Sequence, residues 1–154
     1  MTMRIENHLS RRPFLFDVEK EVNKLLSFIP PEHLMGLERI VLLDEIWANK
    51  GHRLAGTYKM KQGLQGPAIE ISINSTFRGM PHIFFCLPFV ARFTLADILY
   101  HEIGHHYHSA HTHGVNKKRK EQFAEDYGKI MLRRAVFFWT FFLRPLSPVL
   151  RYLA

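Results

Sequence analysis

The residues best suited to chemistry stand together at His101-Glu102-Ile103-Gly104-His105. On an α-helix, side chains four apart project one above the other from the same face, so two imidazoles at this spacing can share one metal ion. Imidazole nitrogen is a good Zn²⁺ ligand. A carboxylate beside the pair, not needed for coordination, can take a proton from a metal-activated water. The motif therefore assigns His101 and His105 as ligands of one Zn²⁺ per chain and Glu102 as a general base. Ten histidines and ten glutamates in 154 residues would produce about 0.04 such matches by chance. The competing view is a His-rich surface helix with incidental metal affinity.

A helix is needed to hold these residues, and the sequence predicts one. Thr94-Leu-Ala-Asp97 reads as a capping box that would start it, and Leu95, Ile98, Leu99 and Ile103 supply an apolar face. Two imidazoles rarely complete a catalytic zinc site, which usually takes three protein ligands and leaves a fourth position open. Two residues compete for the third place. Glu121 begins Glu121-Gln-Phe-Ala-Glu125 at the start of a second predicted helix, sixteen residues after His105; a short turn would fold it back on the first. Glu125 shares its face, and one carboxylate could then ligate while the other accepts a hydrogen bond from a ligand histidine. His111 has the alternative HExxHxxGxxH spacing, but His108 stands where that pattern needs a glycine for its sharp turn. The missing glycine favours Glu121.

HExxH followed by a helix bearing E-x-x-A-E resembles the gluzincin group of zinc metallopeptidases, and the small size is similar to its compact members, the minigluzincins. The matching stretch runs from about Ala68 to Leu132. The resemblance implies that His101, His105 and Glu121 are metal ligands, Glu102 the general base and Glu125 a partner of the ligands. It also implies that the Ile69 to Ile73 strand is the edge along which an extended peptide substrate pairs. The oxyanion would need a further donor, with Tyr107, Tyr127 or a nearby histidine as candidates.

The remaining elements form the scaffold. Phe14 to Ile29 has apolar residues at helical period and is followed by Pro30-Pro31, predicting a packing helix. Arg39 to Glu45 reads as a buried strand, and Leu54, Tyr58 and Met60 as a second, half-exposed one. Ala68 to Asn74 alternates, with Ile69, Ile71 and Ile73 on one side and Glu70 and Ser72 on the other, predicting a strand with one buried face. Gly63 to Pro67 is its preceding turn. Ile83 to Leu87 suits a strand or core loop. The fold class expected is α+β: a small mixed sheet of three or more strands packed against the HExxH helix and the following glutamate helix, plus the N-terminal helix, in one domain of residues 1–154.

Composition sets outer bounds. Apolar residues make up 47% of the chain, enough for a sizeable core. A single cysteine, Cys86, excludes an internal disulfide, and the opening residues lack the apolar core of a signal peptide, so a cytoplasmic location is expected. Of the net charge of +7, +6 falls from Lys117 onward. Residues 133–154 form a basic, aromatic segment, Ala135 to Leu143 being too short to span a bilayer but able to lie in its interface. The expected partner is a peptide or protein substrate, with peripheral membrane contact through this segment a further option; no recognised nucleic-acid motif accompanies it. The alternative function is a non-catalytic zinc-stabilised module that binds membrane or nucleic acid through the same segment.

Overall fold

The structure is a computed structural model that describes residues 3–10, 17–48, 51–81, 88–112 and 116–143, the side chains of 88 and 137–143 excepted. The expected strand or core loop at Ile83 to Leu87 and the tail beyond residue 143 lie outside the described residues. So does Cys86. Strand β1 (Arg4–Asn7) is followed by helix α1 (Val18–Leu26), a 3-10 turn at Pro31–Leu34, strands β2 (Arg39–Leu43), β3 (Ile46–Trp47), β4 (Arg53–Leu54), β5 (Gly56–Lys59) and β6 (Ala68–Ser72), a single helical turn α2 (Ile73–Thr76), and the long helices α3 (Pro88–His111) and α4 (Lys117–Leu143).

Four strands make one mixed sheet in the order β1-β2-β6-β5, with β2 parallel to β1 and β6, and β5 antiparallel to β6. The fold is accordingly α+β, with every strand among the described residues before the HExxH helix. β1 went unrecognised in the sequence because four residues with one clear apolar member carry little periodic signal. Leu54 to Met60 is not one strand: the chain breaks at Ala55, β4 pairs with β3 in a separate two-stranded ribbon, and β5 alone joins the sheet. The alternation in β6 does place Ile69 and Ile71 in the core, fully buried, while Glu70 is tied from the other face to Lys59 of β5 at 2.6 Å. Ile73, expected to continue the strand, instead opens α2, because the Ser72 hydroxyl caps that turn by accepting from the Ser75 amide at 3.2 Å.

This position overturns one expectation. β6 has a neighbour on each side, so the sheet edge nearest the HExxH helix is β5 rather than the Ile69 to Ile73 strand. Alternating burial reports which faces are covered, and it says nothing about which flank is paired.

α1 is shorter than the Phe14 to Ile29 pattern suggests. Asp17 caps it by accepting from the Glu19 and Lys20 amides, and Val22 and Leu25 are fully buried against the sheet and α3. Helix α3 begins at Pro88, a residue whose fixed φ suits a first helical position. Thr94 is therefore inside the helix and not its cap; its hydroxyl donates to the Val90 carbonyl one turn back, at 3.0 Å. Tyr100, buried on the core face, donates to the Leu25 carbonyl at 3.1 Å and joins α3 to α1.

α4 runs back along α3, and small residues decide how closely. A Cβ on Gly104 would lie 2.8 Å from the Ala124 Cα, and one on Gly128 would lie 3.4 Å from the His101 amide nitrogen. A glycine inside a helix costs about 1 kcal/mol relative to alanine; at Gly104 it permits a backbone approach that any Cβ would prevent, whereas a Cβ at Gly128 would make ordinary contact. α4 starts at Lys117, with the Asn116 side chain accepting from the Lys118 amide at 3.1 Å. That cap offsets the unfavourable placing of Lys117, Lys118, Arg119 and Lys120 in the first turn, against the helix macrodipole. Among the described residues no helix is long and apolar enough to cross a membrane.

Candidate metal centre

The close contact between α3 and α4 brings three potential ligands to one point. His101 and His105 project from successive turns of α3 with their Nε2 atoms 3.1 Å apart, and Glu121, on the first turns of α4, places Oε2 3.8 Å from the first and 3.5 Å from the second. Donors bound tetrahedrally at typical zinc–nitrogen and zinc–oxygen lengths stand about 3.3 Å from one another. The observed separations fit such a polyhedron. Among the described residues this is the one group of three such side chains able to share a cation, and its two-nitrogen, one-oxygen donor set accepts zinc and several other divalent metals.

The electrostatics suit ligation. Burial and the neighbouring His101 hold His105 below the usual imidazole range, so it is neutral, with a lone pair to offer, at neutral pH. Glu121 is half exposed at the mouth of the site. Glu102 sits behind the ligands, 7% exposed, and its carboxyl is pushed up to about 7, chiefly by burial; a Tyr58 backbone hydrogen bond pulls the other way and the Glu121 charge adds to the rise. A carboxyl balanced near neutrality can both take up and release a proton.

β5 passes directly over this carboxylate. A Cβ on Gly56 would come within 2.9 Å of the Glu102 Oε1 and 2.7 Å of the Ile98 Cγ2, so only glycine lets the strand lie so close. Two hollows of about 470 and 590 Å³ share Gly56, His101 and Glu102 and form a groove along the strand. An exposed strand edge beside such a groove offers unpaired main-chain groups to an extended chain.

The other sequence candidates fall elsewhere. His111, at the end of α3, is exposed and donates from Nδ1 to the Tyr107 carbonyl at 2.8 Å; it is not part of the ligand group. Glu125 lines the groove, but its carboxylate is taken by Lys129 at 2.6 Å instead of either histidine. Tyr107 and Tyr127 are absent from the groove lining; Tyr127 is turned toward His33, its hydroxyl 2.8 Å from the His33 Nδ1. His106 is buried, donating from Nε2 to the Met35 carbonyl at 3.0 Å, with the Tyr58 hydroxyl 3.4 Å from its other nitrogen. It fastens β5 and the 3-10 turn to α3. His108 and Tyr58 do line the groove, and His113 lies outside the described residues.

Sequence reasoning missed Gly56, Gly104 and Gly128. Gly104 sits within the motif, and an interior helical glycine was the available signal of close packing. Gly56 had no such signal, since its role depends on contact with Ile98 and Glu102, far along the chain. No protein-family model matches this chain, and no curated protein matches it.

Proposed function

We propose that this protein is a zinc-dependent metallopeptidase of the gluzincin kind, with His101, His105 and Glu121 as ligands and Glu102 as general base. The observation that carries the reading is the convergence of those three donors beside a buried carboxylate, at the floor of a groove bounded by β5, which has no second strand partner among the described residues. A bound Zn²⁺ would supply Lewis acidity, polarising a carbonyl and lowering the pKa of water. Chain residues account for the remaining roles. Main-chain groups of β5 align an extended peptide, and the missing side chain at Gly56 lets that strand lie against the Glu102 carboxylate. Glu102 takes a proton from the attacking water and passes it to the leaving amine, which its near-neutral pKa favours. His108 and Tyr58 are among the side chains lining the groove that could donate to a developing oxyanion. They replace Tyr107 and Tyr127 in that role.

Metal content per chain tests the ligand set. Wild type and His111→Ala should each retain about one zinc per chain, and Glu121→Ala should lose most of it. Stoichiometric metal in Glu121→Ala would remove Glu121 from the site, and wild-type protein that takes up no zinc would overturn the reading altogether.

A further inference from the structure

The groove is charged oppositely at its two ends. One end is lined by Asp97, Glu125 and Lys129; Glu125 and Lys129 pair at 2.6 Å, and Asp97 forms no ion pair among the described residues. The other end is lined by Lys59 and Lys120. Lys59 is neutralised by Glu70 at 2.6 Å, whereas Lys120 forms no ion pair among the described residues and is only partly exposed. The ligands and Glu102 lie between the two ends, so a chain laid along β5 would meet an ammonium on one side of the reacting carbonyl and a carboxylate on the other.

The surroundings strengthen the cationic end. Lys117, Lys118 and Arg119 precede Lys120 in the first turn of α4, which contains no acidic residue. All three are exposed, so they add long-range attraction screened by salt, while Lys120 alone reaches the groove. Four cations at a helix N-terminus are unfavourable for the helix itself. Their placement gains meaning if a ligand supplies the missing negative charge.

Resting on the peptidase reading, we propose that Lys120 makes the groove selective for extended peptides that carry an acidic side chain on its side of the scissile bond, and that Asp97 favours a basic one on the other. Charge at the rim of a binding site governs encounter and register more than affinity, so a modest preference with strong salt dependence follows.

The test measures binding, without turnover. Zinc-loaded, full-length Glu102→Gln protein is titrated into two dye-labelled peptides of the same composition, one with Asp before and Lys after a central apolar pair, the other with the two exchanged. Fluorescence anisotropy should show one peptide bound about fivefold more tightly at low ionic strength, with the difference largely gone at about 0.5 M salt. Adding Lys120→Glu should abolish the preference, because both ends of the groove then carry a carboxylate, and Lys120→Gln should weaken it to what Asp97 alone supplies; removing a positive charge from the α4 N-terminus does not burden the fold. Equal binding of the two peptides, or an order unchanged by Lys120→Glu, would overturn the charge selectivity and leave the peptidase reading standing. Failure to bind either peptide would overturn both.

Discussion

Glu21 and Glu102 are equally hidden, at 6% and 7% exposure, yet they are held in opposite chemical states. Glu21, on α1, receives Arg92 of α3 at 2.5 Å and Lys24 at 2.8 Å. Burial pushes its carboxyl up, but these two cations outweigh burial and hold it below the usual range. Glu102, ten residues beyond Arg92 on the same helix, forms no ion pair with lysine or arginine among the described residues, so burial prevails and its carboxyl rises. One carboxylate is fixed as an anion between two helices, where it secures packing. The other is kept close to its protonation point beside a groove, where it can exchange a proton. The partners differ, and Glu102 also lies deeper in the fold, although the two side chains are equally shielded from solvent.

Substituting each residue by its amide should separate the two roles. Glu102→Gln should lower peptide hydrolysis by about 10²- to 10⁴-fold with zinc content preserved, as steady-state kinetics and metal analysis would reveal. Substantial activity in that variant would remove Glu102 as base. Glu21→Gln should leave the specific activity of folded protein unchanged but cost about 1–3 kcal/mol in urea denaturation. Most of that cost comes from Arg92, which loses its buried counter-charge; the exposed Lys24 contributes little.

The same contrast predicts opposite pH slopes for chelator-treated protein. The folded Glu102 carboxyl, at about 7 against an ordinary 4.5, binds its proton more tightly in the native state, so stability falls as pH rises from about 4.5 to 7. Glu21 is shifted the other way; its contribution is present above 4.5 and is lost as pH falls through the lowered folded value. Glu102→Gln should therefore be more stable than wild type above pH 7, by about 1–3 kcal/mol, and Glu21→Gln should flatten only the acid limb. Parallel profiles for the two variants would erase the distinction. At the small end, His111→Ala should change stability by less than about 0.5 kcal/mol, because its one polar contact is an exposed bond at the end of α3.

How far the sequence could be read follows the same division between local and distant determinants. His101, Glu102 and His105 were legible because helical periodicity alone sets their relation. Glu121 was legible because few residues separate the two helices. The mixed α+β class followed from the alternation in β6 and the apolar run in β2. The identity of the edge strand did not, since it depends on β5 and β6 pairing across a turn and on β2 covering the other flank of β6. Thr94 misled for a related reason: Thr-x-x-Asp is a cap only where a helix begins, and a proline six residues earlier began this one. Glu125 shares a helical face with Glu121, but Lys129, one turn further on, is nearer to it than any ligand histidine.

The close packing of α3 and α4 has a mechanical consequence. The helices touch at more than one place, Gly104 against Ala124 and Gly128 against His101, and two separated contacts remove the freedom to rock that a single one would leave. His101, His105 and Glu121 all lie within about one turn of these contacts. The donor triangle is thereby built on the most firmly braced stretch of both helices, and a disturbance elsewhere along them should reach the ligands much reduced.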